Sequence, residues 1–367
     1  MFDIGRYKTV LLGMLFLSSM VIISCGGGSD TLEAAAVAEG RWGHSATLLN
    51  DGRVLVVGGQ LKPSIALTSA EIYDPSTGAW SSAGSMSVKR GEGHTATLLN
   101  DGTVLIAGDD EYSSAEIYDP SNNSWSSAGT TNDARQWASA DLLSDGRVLV
   151  AGGLDVTKTG KTEFFSSEIY DPSTGEWTAS GVMEMGHTSH SSVVIDDKII
   201  VFGEKNAEIF DPSTGTWSSA GIPNVERTQG TTATLMKNGK VMISGGGYNQ
   251  EGWTGQYHVM ATVQLYDPSN STFTSTTIMT EPRQFHTAIL QDDGSVMVVG
   301  SKQIETYDTG TALWTPVANM MTEHGEAYTA TQLKDGRILV VGGKIEIEKG
   351  KFAGITSVEI FDPSAVE

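Results

Sequence analysis

Five arginines recur at one place in this chain. Arg41, Arg90, Arg135, Arg227 and Arg283 each stand just before a short β-prone run. A guanidinium presents a planar fork of donors that can grip a carboxylate or sulfate through two parallel hydrogen bonds. If the runs gather round one axis, the arginines approach one face. There they either line a ligand site or pair with carboxylates of neighbouring elements. At two further places in the series the arginine is replaced, once by Glu184-Met185-Gly186 and once by His324-Gly325. Those two connections hold Glu184, His187, Glu323, His324 and Glu326, groups able to act as general acid or base. His187 lies outside the repeat; with Glu184 and His190 it makes an incomplete zinc set, lacking a further ligand. His44, His94, His190 and His286 share another repeated position, exchanged elsewhere for Ala138, Thr231 and Tyr328, which fits packing and hydrogen bonding.

Two irregular stretches add candidates. Asp109-Asp110-Glu111 gathers three carboxylates, either a solvated acidic loop or oxygen ligands for Ca²⁺. The longest loop, GYNQEGWTGQYHVM, carries Tyr248, Trp253, Tyr257 and His258. Aromatics such as Trp253 and Tyr257 either fold back on the protein surface or stack on sugar rings and anchor a partner. No nucleophile with its base, phosphate loop or complete metal set is present.

The elements that must position these groups are legible from Arg90 to Gly129. Four β-prone runs, HTATLL, TVLIAG, SAEIYDP and SWSSAG, are separated by turn residues such as Asn100-Asp101-Gly102 and Pro120-Ser121-Asn122-Asn123. That is a four-stranded antiparallel meander. Near-copies fill the chain from Arg41 onward. Tyr73-Asp74, Tyr118-Asp119, Tyr170-Asp171, Phe210-Asp211, Tyr266-Asp267, Tyr307-Asp308 and Phe361-Asp362 count seven. In the first six an aromatic follows the aspartate by six residues: Trp80, Trp125, Trp177, Trp217, Phe273 and Trp314. One meander cannot bury both faces, so the copies must stack. The seventh stops before its fourth strand, and residues 31–39 are expected to supply it and close the ring. Short Asp-Gly turns then define a plain face, and loops of unequal length a variable face, where binding residues are expected.

Apolar strands closed by paired glycines, followed by a spaced Tyr and Trp, resemble the kelch repeat over essentially all of residues 41–364. The resemblance implies an all-β fold, a seven-bladed kelch-type β-propeller with four-stranded antiparallel blades. In kelch adaptors that bind acidic peptides, arginines at this place line the mouth, so the resemblance implies a carboxylate or sulfated-sugar site. The galactose oxidase family has such a propeller, but its radical copper centre needs a tyrosine crosslinked to cysteine, and the sole cysteine here is Cys25. Sialate epimerases share the architecture and would need an acid/base beside an arginine. Sialidases do as well, but DPSTGTW lacks their repeated box.

Composition narrows the class. With 23 Lys+Arg against 44 Asp+Glu the chain is strongly acidic, which argues against nucleic acid as a partner. Residues 1–24 read as a signal peptide, with Arg6 and Lys8 before an apolar run too short to span a bilayer. Ile22-Ile23-Ser24-Cys25 resembles the bacterial lipobox, which implies lipidation of Cys25, residues 25–30 as a flexible tether, and residues 31–367 as the propeller. Gly26 favours the outer membrane by the same resemblance. The expectation is an envelope lipoprotein, anchored to the membrane by lipid. Its propeller binds a glycan or envelope protein without catalysis and without a resident cofactor. The alternatives are a sugar epimerase or lyase, and an assembly component with no small ligand.

Overall fold

Each copy of the repeat forms an antiparallel meander, and seven of these surround one axis. The computed structural model describes residues 31–110, 112–155, 157, 162–249, 257–300 and 302–365. Blades 1 to 7 begin with the strands Ser45–Leu48, Thr95–Leu98, Ser139–Leu142, Ser191–Ile195, Gln229–Leu235, Thr287–Leu290 and Thr329–Gln332. These first strands neighbour one another round the axis, and that of blade 7 touches that of blade 1. The described residues therefore form an all-β, seven-bladed β-propeller of antiparallel four-stranded blades.

Several second strands, among them Val54–Val57, Val104–Ala107 and Ile338–Val341, are buried along their whole length. That explains their uninterrupted apolar sequence, because both faces meet a neighbouring blade. Seven separate apolar clusters result, one at each blade-to-blade contact. Leu55, Val57 and Ile72 of blade 1, for example, pack on Val104, Ile106 and Tyr118 of blade 2. Each fully buried Val, Leu or Ile contributes about 1.5–3 kcal/mol relative to exposure.

The repeated aromatics face one another across the third and fourth strands. Tyr73 pairs with Trp80 and Tyr118 with Trp125 in register, at ring separations of 5.1 and 5.0 Å. The indole N–H then reaches back to the preceding blade: Trp125 donates to the Ala83 carbonyl at 2.7 Å and Trp177 to that of Ala128 at 2.8 Å. Each tryptophan thus packs within its own blade and fastens it to the preceding one. The aspartate after each aromatic folds its turn. Asp74 Oδ1 accepts from the N–H of Ser76 at 2.9 Å and from its hydroxyl at 2.6 Å, an Asx-type turn.

On the plain face, Gly52, Gly102, Gly146, Gly239, Gly294 and Gly336 take φ of 78 to 93°. Blade 4 lacks that glycine and turns through Asp196 and Asp197, at φ 47° and 64°, as a two-residue hairpin requires. Blade 7 is made from both ends of the described chain. Thr31–Glu33 pairs antiparallel with Val358–Phe361, Thr31 opposite Phe361 and Glu33 opposite Glu359. Val37, just beyond, is buried in the cluster between blades 7 and 1.

Candidate functional site

Four of the five arginines do not open onto a ligand site. Arg41, Arg90, Arg135 and Arg283 are at most 3% exposed, and each turns into its own blade. Arg41 Nη2 donates to Glu71 Oε1 at 2.7 Å, Arg135 Nη2 to Glu168 Oε1 at 3.1 Å, and Arg283 Nε to Glu305 Oε1 at 2.9 Å. Arg90 lies 3.5 Å from Glu116 and 2.6 Å from Asp110. In each, Nη1 reaches the carbonyl at the end of the second strand, Gly58 from Arg41, Gly152 from Arg135 and Gly300 from Arg283. The glutamate also accepts a backbone N–H three residues before the basic residue, from Ala38, Ser87, Asn132 and Thr280. This staple fixes the blade-to-blade connection, and it corrects the expectation of an arginine-lined mouth. The sequence signal was available: a glutamate stands two residues before the repeated Tyr or Phe in every blade except blade 5, which has Gln264.

His187 is also corrected. It lies inside the repeat, at the arginine's place in blade 4, as His324 does in blade 7. His187 Nε2 is 3.0 Å from Glu208 Oε1 and His324 Nε2 is 3.3 Å from Glu359 Oε1. His324 Nδ1 donates to the Gly342 carbonyl at 2.6 Å, so the imidazole takes over the arginine's two contacts. Burial pushes Glu208 and Glu359 upward, but hydrogen bonds from the histidine and from two loop N–H groups more than offset it, leaving both below the usual carboxylate range. Of the other acid/base candidates, Glu184 and Glu323 are exposed and Glu323 pairs with Lys302 at 2.9 Å. Glu326 accepts from Gln284 at 2.7 Å and pairs with Lys344 at 3.2 Å. The two groups of candidates sit on different blades, and no hydrogen bond or ion pair joins them among the described residues.

Asp110 is committed to Arg90 and to the N–H groups of Tyr112 and Ser114, at 2.8 and 3.0 Å. Burial pushes Asp109 up to about 7. Glu111, Trp253 and Cys25 lie outside the described residues, as do residues 1–30. Tyr257 is half-buried, and its hydroxyl donates to Gln284 Oε1 and accepts from Gln229 Nε2.

Among the described residues, concavities open on the variable face. One, about 510 Å³, sits between blades 3 and 4 and is lined by Thr162, Phe165, Met185, His187 and Lys205. Another, about 360 Å³, is the axial mouth, lined by Glu92, His94, Trp137, Ser189, His190 and Phe285 among others. Seven equivalent residues ring this mouth, one before each repeated histidine position, and all have positive φ. Three are the expected glycines, Gly43 (61°), Gly93 (112°) and Gly230 (71°). The others are Trp137 (57°), Ser189 (49°), Phe285 (49°) and Ala327 (55°). Backbone bonds link parts of the ring: Trp137 N–H to the Gly93 carbonyl at 2.9 Å, Ser189 to Trp137 at 3.1 Å and Phe285 to Gly230 at 2.9 Å. Such a conformation is unusual for bulky residues. The Trp137 indole lies over Gly93 and the Phe285 ring over Gly230, where a Cβ would meet them at 2.5 and 3.3 Å.

Polar groups separate the aromatics. Burial lifts Glu92, whose carboxylate accepts from the Trp42 indole at 3.3 Å, above the usual range. Gln136 donates to the Glu92 carbonyl at 2.7 Å. Beneath the rim, His94 Nε2 meets Ser45 Oγ at 3.0 Å and His44 Nε2 meets Thr329 Oγ1 at 2.9 Å. Desolvation lowers His94 to about 4 and His190 and His286 to about 3. Burial raises Asp141, on the first strand of blade 3, to about 6. Trp137 and Phe285 were missed in the sequence because they belong to no motif. Stacking the repeats on the histidine position would have revealed them as aromatics in a glycine column.

A family model described as the Kelch motif matches residues 41–87. The comparison with curated proteins gave no match. Among solved structures the chain is similar to a fungal alcohol oxidase of the AA5 family in complex with copper, at TM-score 0.71 and 17% identity, over 90% of this chain and 76% of that one. That likeness concerns the fold. The residues here do not fit a copper centre of that kind. Among the described residues no three His, Cys, Asp or Glu side chains converge as a metal set, and the sole cysteine, Cys25, precedes the first blade.

Proposed function

We propose that this kelch-type propeller is a non-catalytic binding module whose axial mouth takes a glycan. The observation carrying the reading is the pair Trp137 and Phe285, bulky aromatics held at positive φ in a ring position where three of the seven blades use glycine. A backbone outlier at a cavity rim points to a use that outweighs its cost. Aromatic faces separated by Glu92, Gln136 and Gln284 match sugar rings, which offer apolar C–H faces and hydroxyl edges. In the same reading the propeller is tethered to the bacterial outer membrane through acylated Cys25, supported by residues 1–25 as a lipoprotein signal.

Glycan-array binding by residues 31–367 tests this. Trp137→Ala and Phe285→Ala should each reduce affinity about tenfold or more, with Tm unchanged or raised. Equal binding by both variants would transfer the site elsewhere on the variable face. The sugar epimerase or lyase alternative rests on Glu92, a half-buried carboxyl at the cavity rim whose pKa burial raises. Turnover of a bound sugar that is lost in Glu92→Gln would establish it. Capture of an envelope protein unaffected by either aromatic variant would favour the assembly role.

A further inference from the structure

We infer that the blade 4-to-5 connection carries an anion site, in which Arg227 receives a carboxylate from an acidic ligand. The inference comes from comparing one repeat with the other six and stands apart from the glycan reading. In six blades the buried basic residue faces a glutamate of the third strand. In blades 1 to 3 a second acid joins it. Asp133 lies 2.7 Å from Arg135 and Asp110 2.6 Å from Arg90, and Glu39 reaches Arg41 through Ser69. Blade 5 has neither acid. Gln264 stands in the glutamate's place and Val225 in that of Asp133.

Arg227 is 6% exposed and Gln264 fully buried. Arg227 keeps the backbone contact of its type, Nη1 to the Gly245 carbonyl. Its Nε and Nη2, and both amide atoms of Gln264, have no partner among the described residues. No bond joins the Asn224 N–H to Gln264, although the equivalent N–H donates to glutamate in the other blades. With no neighbouring carboxylate to offset it, burial lowers Arg227 to about 10. An unpaired buried cation is costly. The missing partner must be anionic, and the other blades define its form, a carboxylate bridging guanidinium and amide donors. It would enter at the outer position, where the side chain of Asp133 in blade 3 is 30% exposed.

Isothermal titration of the purified chain with sodium acetate and sodium glucuronate, at constant ionic strength set with chloride, tests the site. Wild type should bind at least one of them. Gln264→Glu, which supplies an internal carboxylate, should bind at least tenfold more weakly and melt higher without ligand. Arg227→Met should not bind. Acetate alone would identify a small free acid as the ligand and glucuronate alone an acidic sugar. Trp137→Ala should leave this binding intact, separating it from the axial mouth. Equal binding by wild type and Gln264→Glu, or no binding by wild type of either carboxylate, overturns the inference.

Discussion

The staples inside the blades and the rim of the axial mouth occupy neighbouring stretches of every repeat, yet they follow opposite rules. At the staples the side chains change from arginine to histidine while the contacts persist: a glutamate, a carbonyl and a loop N–H. At the rim the backbone persists, with seven positive φ angles, while the side chain changes from glycine to tryptophan, phenylalanine, serine or alanine. The staples therefore hold up the architecture, and the rim is free to differ. Blade 5 breaks the first rule, and its Arg227 and Gln264 are left without the contacts their counterparts make.

The largest expected effect comes from removing a repeated structural part outright. Deleting residues 31–39 strips the outer strand from blade 7 and removes Val37, leaving an open edge; Tm should fall by about 10 °C or more. Next comes a broken staple. Arg283→Met abandons Glu305, which has no exposure, and denaturant unfolding should show a loss of about 3–5 kcal/mol. Arg227→Met at the equivalent place abandons no charge and should cost under about 1 kcal/mol or stabilise. Equal losses for the two would erase the distinction between blade 5 and the rest.

Acidification gives a third measure. His94, His190 and His286 have folded values of about 4, 3 and 3, below the ordinary value near 6.5. The unfolded chain therefore takes up protons first as pH falls. Stability drops below about pH 6.5, by up to about 1.4 kcal/mol per pH unit for each histidine until its folded value is reached. Asp141 and Asp109 act oppositely: raised to about 6 and 7, they destabilise as pH rises from about 4. The paired Glu208 and Glu359, held low, lose their contribution progressively as pH falls from the ordinary carboxylate value through their lower folded values. His286→Gln should flatten the stability profile between pH 6 and 4 by about one histidine's slope. The smallest effect on stability belongs to the rim. Trp137→Gly relieves a positive φ and should change stability by no more than about 1 kcal/mol, while glycan binding is lost.

The architecture was legible because it is written seven times. Trp125 follows Asp119 by six residues, as its counterparts follow theirs, and that recurrence alone marks it as the partner of Tyr118 across a hairpin. The roles of the arginines were not legible. Their fate depended on Glu71, Glu168 and Glu305, 22 to 33 residues away, and only the register of the third strand shows that those carboxylates face the guanidinium. His187 was misplaced because an insertion in blade 3 and the missing arginine hid its alignment with His324. At the rim, Phe285 looked like an ordinary loop aromatic, since nothing in its residue type announces a left-handed backbone.

The pairing of Thr31–Glu33 with Val358–Phe361 sets an order of events during folding. Blades 1 to 6 are each contiguous in the chain and can form in turn, but the last sheet cannot be completed until Phe361 is free to pair. Until then the earliest strand has no partner and the ring is an open arc with two unpaired edges. Such a chain benefits from protection against edge-to-edge association while it folds. Pairing of that one late strand then converts the arc into a closed circle.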